Sequence, residues 1–312
     1  MKFTGYLPRI LLVALIMSAM GNARAASGMD LTQDYLNAFD NDCAFGSAQI
    51  NALRKYKVLM VPGFLSELNP TYFADQQRWL ASIKVAHEKV AVKSGQGIKV
   101  NGPIVAAAIR DSAKPVILIT HSKGSVDALE ALVAEPLLRK QVKGWVSLQG
   151  AFLGSPIADK VLDGSMLNPI AASIILGFFG GTQESAQGLT TAASLAYYRE
   201  HTAEINKLLR DIPTIAFAST LDNAPSARAV SMLDFPYELM ARDGIRNDGL
   251  VPLDAAMLPG MDYVKISGID HIAPVMPALQ RFDRVRLSKA LLLALRSPLR
   301  GLPGDKGCKT KR

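Results

Sequence analysis

Cysteine is almost absent from this 312-residue chain, with Cys43 and Cys308 the whole complement. Two thiols exclude a multi-disulfide scaffold and any cysteine-rich zinc cluster. Long apolar runs are missing too: none reaches the roughly 18 to 20 residues that cross a bilayer, which argues against an integral membrane protein. Histidine is scarce, at four residues. No internal repeat or low-complexity stretch is present. The body also lacks an excess of either charge. Lys2, Arg9 and Arg24 supply three cations within residues 1–25, and Arg296, Arg300, Lys306, Lys309, Lys311 and Arg312 face only Asp305 at the other end. These two ends account for the whole formal charge of +8. A neutral body creates no field of the kind that gathers nucleic acid, so the expectation is no nucleic-acid partner.

The first 25 residues read as an export signal. Lys2 and Arg9 precede the apolar run Ile10–Met20, and Ala23-Arg24-Ala25 follows as a small-residue cleavage site. The mature chain is expected to start at Ala26, across the inner membrane, in the periplasm or secreted. There Cys43 and Cys308 either pair or remain separate thiols. Residues 26–296 hold one large domain, near the upper size for a single core. The stretch 297–312, rich in charge, glycine and proline, is expected to be a disordered basic tail, either solvated or touching anionic headgroups.

Strand and helix patterns alternate through the body. Strands are expected at 57–61, 89–92, 115–120, 144–148, 214–218 and 263–266, each a short apolar run. Helices are expected from Asn69-Pro70 to about Ala86, at 101–111, at 125–135, and over about 277–295. Strands apolar on both faces, alternating with helices, indicate a mostly parallel central sheet covered by helices. Between about 159 and 213 there is no strand pattern, which is too long for an ordinary connection and reads as a helical cap or lid insertion. Its segment 169–179, with Leu176, Phe178 and Phe179, is either a mobile apolar lid that binds substrate or a helix buried within the cap.

The strand 115–120 runs into His121-Ser122-Lys123-Gly124 and straight into a helix. A serine at such a turn projects its hydroxyl into the crevice at the sheet edge where open α/β sheets bind ligands. A hydroxyl is a weak nucleophile unless a general base, held by an acid, takes its proton. His271 directly follows the last strand. His87 and His201 lie in helical patterns, and His121 adjoins the serine too closely to face it. Asp248, in Asn247-Asp248-Gly249-Leu250-Val251-Pro252, is the leading acid, with Asp222 as the alternative and Asp243 and Asp254 nearby. Asp270 reads as a turn former.

Taken in order, Val61-Pro62-Gly63-Phe64, Thr120-His121-Ser122-Lys123-Gly124, Gly154-Ser155-Pro156-Ile157-Ala158-Asp159, Asn247 to Pro252 and Asp270-His271 resemble the motifs of the α/β-hydrolase superfamily, bacterial lipase/esterase type. The resemblance covers most of residues 57–295. It implies an α/β-hydrolase fold and a Ser122, Asp248, His271 triad, with the oxyanion hole at the Phe64 and Lys123 amides. It also implies hydrolysis of a small-molecule or lipid ester without a cofactor or metal, and the segment 169–179, read as a lid, is expected to make transient contact with a lipid interface. A polyester depolymerase, a phospholipase-type acyl hydrolase and a non-catalytic binding or assembly protein are the alternatives. Two positions depart from the pattern. Thr120 stands where a glycine is usual and is expected to crowd the turn. Pro62 replaces a histidine whose side chain orients the oxyanion loop.

Overall fold

A computed structural model of the chain describes residues 28–64, 66–164, 186–296, 299 and 301–302. Its strands β1 (Lys57–Val61), β2 (Ala86–Lys89), β3 (Val116–His121), β4 (Val142–Leu148), β5 (Thr214–Thr220) and β6 (Asp262–Ser267) form one sheet in the order β2-β1-β3-β4-β5-β6. Every pairing is parallel. Successive side chains of a strand face opposite sides, and both sides are covered. Val58, Met60, Ile117, Ile119, Ile215 and Phe217 pack into one core layer, whereas Leu59, Val61, Leu118, Trp145 and Ala216 pack into the other. Double burial is why these strands read as continuous apolar runs.

The longer helices are α1 (Thr32–Asp40), α2 (Ser47–Leu53), α3 (Ala74–Ser82), α4 (Ile98–Arg110), α5 (Lys123–Ala134), α6 (Pro156–Leu162), α7 (Thr191–Asp211), α8 (Asp234–Ala241) and α9 (Arg284–Ala294). Helices α1, α2, α3 and α9 supply Tyr35, Leu53, Leu80 and Leu287 to the first layer. Helices α4, α5 and α7 supply Ile109, Leu132 and Leu208 to the second. Residues 29–31 lie along the outer edge of β6, where Leu31 N–H donates to the Tyr263 carbonyl and Tyr263 N–H to that of Met29. Among the described residues no helix is long and apolar enough to cross a membrane.

Several expected boundaries move. The second strand is 86–89 rather than 89–92, because the ladder to β1 starts at Ala86 opposite Lys57. Its charged residues at a half-exposed edge hide it from an apolar criterion. The helix expected from Asn69 starts only at Ala74. Asn69 instead accepts from the Thr71 amide and hydroxyl, and Phe73 sits at φ 62°, donating its N–H to the Val275 carbonyl. The last helix starts at Arg284, capped by Asp283, which accepts from Arg286 N–H. Pro274 and Pro277 lie in the loop ahead of it, and proline disfavours helix continuing through the residue before it.

The C-terminal part of the expected insertion is the helix α7, which buries Tyr198, Ile205 and Leu208 in the second core layer and leads back to β5. Leu176, Phe178 and Phe179 lie outside the described residues. The expected tail does not begin at 297: Leu299 is buried in the first core layer, and Gln49 donates to the Leu302 carbonyl. Cys43 is disulfide-bonded, while Cys308 lies outside the described residues.

Candidate active site

The chain leaves β1 toward β2 on one side and returns through β3 to build the sheet on the other. In such sheets the crevice beyond the carboxyl ends of the two central strands is the place for a ligand. Ser122 directly follows β3 there, and Gly63 follows β1 after Pro62. Ser122 is held at φ 53° and ψ −130°, a conformation that side-chain-bearing residues rarely adopt. Gly124 permits this turn, since a Cβ there would stand 2.4 Å from the Val61 carbonyl oxygen and 2.5 Å from that of Pro62. Gly63 is similarly tight, with a Cβ falling 2.9 Å from Ser122 Cβ. The elbow and the β1 loop are therefore pressed together, and neither glycine admits a larger residue without displacement.

The turn between α8 and β6 and the loop after β6 bring an acid to a histidine. His271 Nδ1 lies 2.8 Å from Asp248 Oδ2, with both side chains buried. A carboxylate accepts, so Nδ1 carries the proton and Nε2 is left as a base. Asp248 is itself fixed: its Oδ1 accepts from the amides of Leu250 and Val251 at 3.0 and 2.8 Å, and its carbonyl accepts from His271 N–H at 2.9 Å. Asn247 closes the same turn by accepting from Gly249 N–H. Ser122 and His271 line one small cavity, whose other walls include Phe64, Ala151, Leu189, Leu250, Val251, Ile272 and Met276. The arrangement places a hydroxyl and a basic imidazole on one apolar chamber.

Solved structures share this architecture. A metagenomic carboxyl esterase superimposes with a TM-score of 0.65 at 21% identity, over 90% of this chain and 97% of that one. The mature form of a Bacillus licheniformis lipase superimposes with a TM-score of 0.57, also at 21% identity, over 70% of this chain and 85% of that one. This chain has the α/β-hydrolase fold. No family model matches its sequence, and no curated protein does.

Within that hydrolase fold the alternative acid is engaged elsewhere. Asp222 accepts from Tyr237 hydroxyl at 2.9 Å and from Arg246 Nε at 2.9 Å. Asp243 lies 3.5 Å from Lys160, and Asp254 accepts from Lys265. Asp270 shapes its turn, accepting from Ile272 and Ala273 amides and from Ser231 hydroxyl. Of the two oxyanion candidates, Lys123 is the first residue of α5, where helix amides lack partners inside the helix. Phe64 lines the cavity. The Lys123 side chain turns inward, both of its contacts to the Asp127 carboxylate oxygens being 2.9 Å, and its ammonium sits 5.6 Å from the Phe64 ring centroid. Asn101 also donates to Asp127. Burial pushes the Asp127 carboxyl up to about 6 in spite of the lysine beside it.

The crowding expected at Thr120 does not occur. Its hydroxyl accepts from Trp145 Nε1 at 2.9 Å and bonds Ser125 Oγ at 2.8 Å, and Ser147 hydroxyl reaches Ser125 at 2.9 Å. A buried polar cluster under the elbow uses the branched residue. Two residues the sequence reading did not assign also stand at the site. Tyr72 hydroxyl accepts from Gly63 N–H at 2.9 Å and lies 2.5 Å from His121 Nδ1. His121 Nε2 lies 2.9 Å from the His271 carbonyl oxygen and 3.3 Å from Gln149 Oε1. Burial, then the neighbouring His271, holds the His121 pKa well below the usual imidazole range. Its place just before the serine was a visible signal. Nothing in the sequence marks Tyr72.

Proposed function

We propose that the protein is an exported serine hydrolase that cleaves carboxylic esters with an apolar acyl group. The observation that carries this reading is the 2.8 Å Asp248–His271 bond, opening on the cavity that Ser122 also lines. In the proposed reaction, Ser122 Oγ attacks the ester carbonyl while His271 Nε2 takes its proton. Asp248 keeps the imidazole in the required tautomer and stabilises the imidazolium that forms. The amides of Phe64 and Lys123 receive the charge that develops on the carbonyl oxygen. His271 then delivers the proton to the leaving alcohol, and the C–O bond of the ester breaks to leave an acyl-serine. A water molecule, deprotonated by His271, attacks that acyl group, and the proton returns to Ser122 as the acid departs.

The apolar cavity walls favour an acyl chain over a polar group.

A fluorophosphonate probe and short p-nitrophenyl esters test the reading. The wild-type protein is expected to be labelled and to turn the esters over. Ser122→Ala is expected to lose labelling and at least about a thousandfold in kcat. Equal turnover by a folded Ser122→Ala protein overturns the assignment. Chain-length profiling, with and without an emulsified interface, then separates an esterase from a lipase or phospholipase-type hydrolase.

A further inference from the structure

The β1 loop lacks a histidine at Pro62, yet its Gly63 amide is not left without a partner. Gly63 N–H can only donate, so Tyr72 oxygen accepts from it. The tyrosine proton then has one recipient within reach, His121 Nδ1 at 2.5 Å. Nδ1 is thereby an acceptor, and the ring proton belongs on Nε2. There it meets two oxygens that can only accept, the His271 carbonyl at 2.9 Å and Gln149 Oε1 at 3.3 Å. Each donor in the chain faces an acceptor, in one direction only. Gln149 is held in turn, its amide donating to the Asp270 carbonyl and to Ser219. An imidazolium at 121 would set Nδ1–H against the tyrosine proton and place a cation 4.7 Å from the ring of His271, which must itself take up a proton in the proposed reaction. Tyr72 and His121 are both buried at the wall of the cavity, where unmade hydrogen bonds are costly and each is the other's nearest side-chain partner.

We propose that Tyr72 and His121 form a neutral positioning relay that ties the β1 oxyanion loop, at Gly63, to the backbone of the general base, His271. The inference rests on the esterase reading of the site. His121 immediately precedes Ser122, so the relay touches all three parts of the machinery: the loop, the elbow and the histidine. It does in this chain, by a tyrosine reaching across from residue 72, what a side chain at position 62 cannot do. Neither residue is assigned a proton transfer with substrate.

The test uses the mature protein with Tyr72→Phe, His121→Leu and His121→Gln. Tyr72→Phe is expected to lower kcat about tenfold to a hundredfold with KM near the wild-type value, the pattern of an interaction lost in the transition state and not in substrate binding. His121→Leu is expected to lose at least as much. His121→Gln, whose amide offers one acceptor and one donor, is expected to recover about tenfold of that loss. Folded Tyr72→Phe and His121→Leu proteins with wild-type kcat overturn the proposal, as does equal activity of the Leu and Gln variants.

Imidazole nitrogen NMR of the wild-type protein reads the same proposal without any variant. His121 is expected as the Nε2–H tautomer, unchanged between about pH 5 and 8. An Nδ1–H tautomer, or titration in that range, overturns the relay. A failure of Ser122 to take the fluorophosphonate probe overturns the esterase reading instead, and leaves the NMR result legible.

Discussion

The two flanks of Ser122 are built from opposite chemistries. On the side of the β1 loop and His271, Tyr72, His121 and Gln149 make a chain of neutral hydrogen bonds. On the side of α5, the buried Lys123–Asp127 ion pair, with Asn101 behind it, braces the elbow helix and sets an ammonium over the Phe64 ring. Both flanks hold the same short loop and the same serine. They differ in what proton concentration and a missing partner do to them. A neutral chain keeps its form across ordinary pH, whereas a buried ion pair is costly to break and answers to the titration of its acid. A base that becomes cationic in the proposed reaction gains from its anionic partner Asp248 and would lose from any neighbour that turned cationic beside it.

The largest effect expected around this comparison is on the carboxylate that holds His271, the residue at which the neutral chain ends. Asp248→Asn should lower kcat by about 10⁴-fold, because the asparagine no longer holds His271 in the right tautomer. Asp222→Asn, bonded to Tyr237 and Arg246, should stay within about twofold of the wild type, since a substitution that leaves the reacting groups untouched removes no transition-state interaction. Steady-state kinetics on the two proteins separate them, and a reversed order would move the acid to 222.

Next comes the ionic flank. Lys123→Met strands a buried carboxylate and is expected to cost about 3 to 5 kcal/mol at neutral pH. The double variant Lys123→Met/Asp127→Leu should recover most of that, which urea unfolding measures. If the single variant is as stable as the wild type, the pair does not brace the elbow.

A pH effect of the order of 3 kcal/mol follows from the same carboxyl, raised on folding from 3.8 to about 6. A raised acid binds its proton more tightly in the folded state. Its contribution is therefore complete below pH 3.8 and is lost as pH rises through about 6. The loss of stability between pH 4 and 7 should be steeper in the wild type than in the double variant, by unfolding at each pH.

The smallest change is expected on the neutral flank, where Tyr72→Phe removes one uncharged hydroxyl and should cost about 1 kcal/mol of stability, with no added pH dependence. Its kinetic effect, given above, should exceed what that loss of stability explains. A loss of stability matching that of Lys123→Met would erase the distinction between the flanks.

The strands of the sheet interior were legible because double burial writes itself as consecutive apolar residues. The edge strand Ala86–Lys89 was displaced in the reading because a half-exposed edge tolerates charge. Glycine carried its own message at 124, where only the absence of a side chain lets helix and strand meet. The branched residue at 120 was misread as an obstacle, since its value depends on Trp145, Ser125 and Ser147, residues that share no local pattern with it.

Residue order alone determined the parallel α/β class, the serine at a strand-to-helix turn, and an aspartate and a histidine placed after the later strands. These are properties of short segments, written as periodicity and turn chemistry over a few neighbours. Tertiary structure alone decided that Asp248 rather than Asp222 meets His271, that Tyr72 completes the loop in place of a side chain at 62, and that Lys123 turns inward to Asp127. Each of these depends on distances between segments far apart in the chain, and such distances exist only once the sheet has brought its strand ends together.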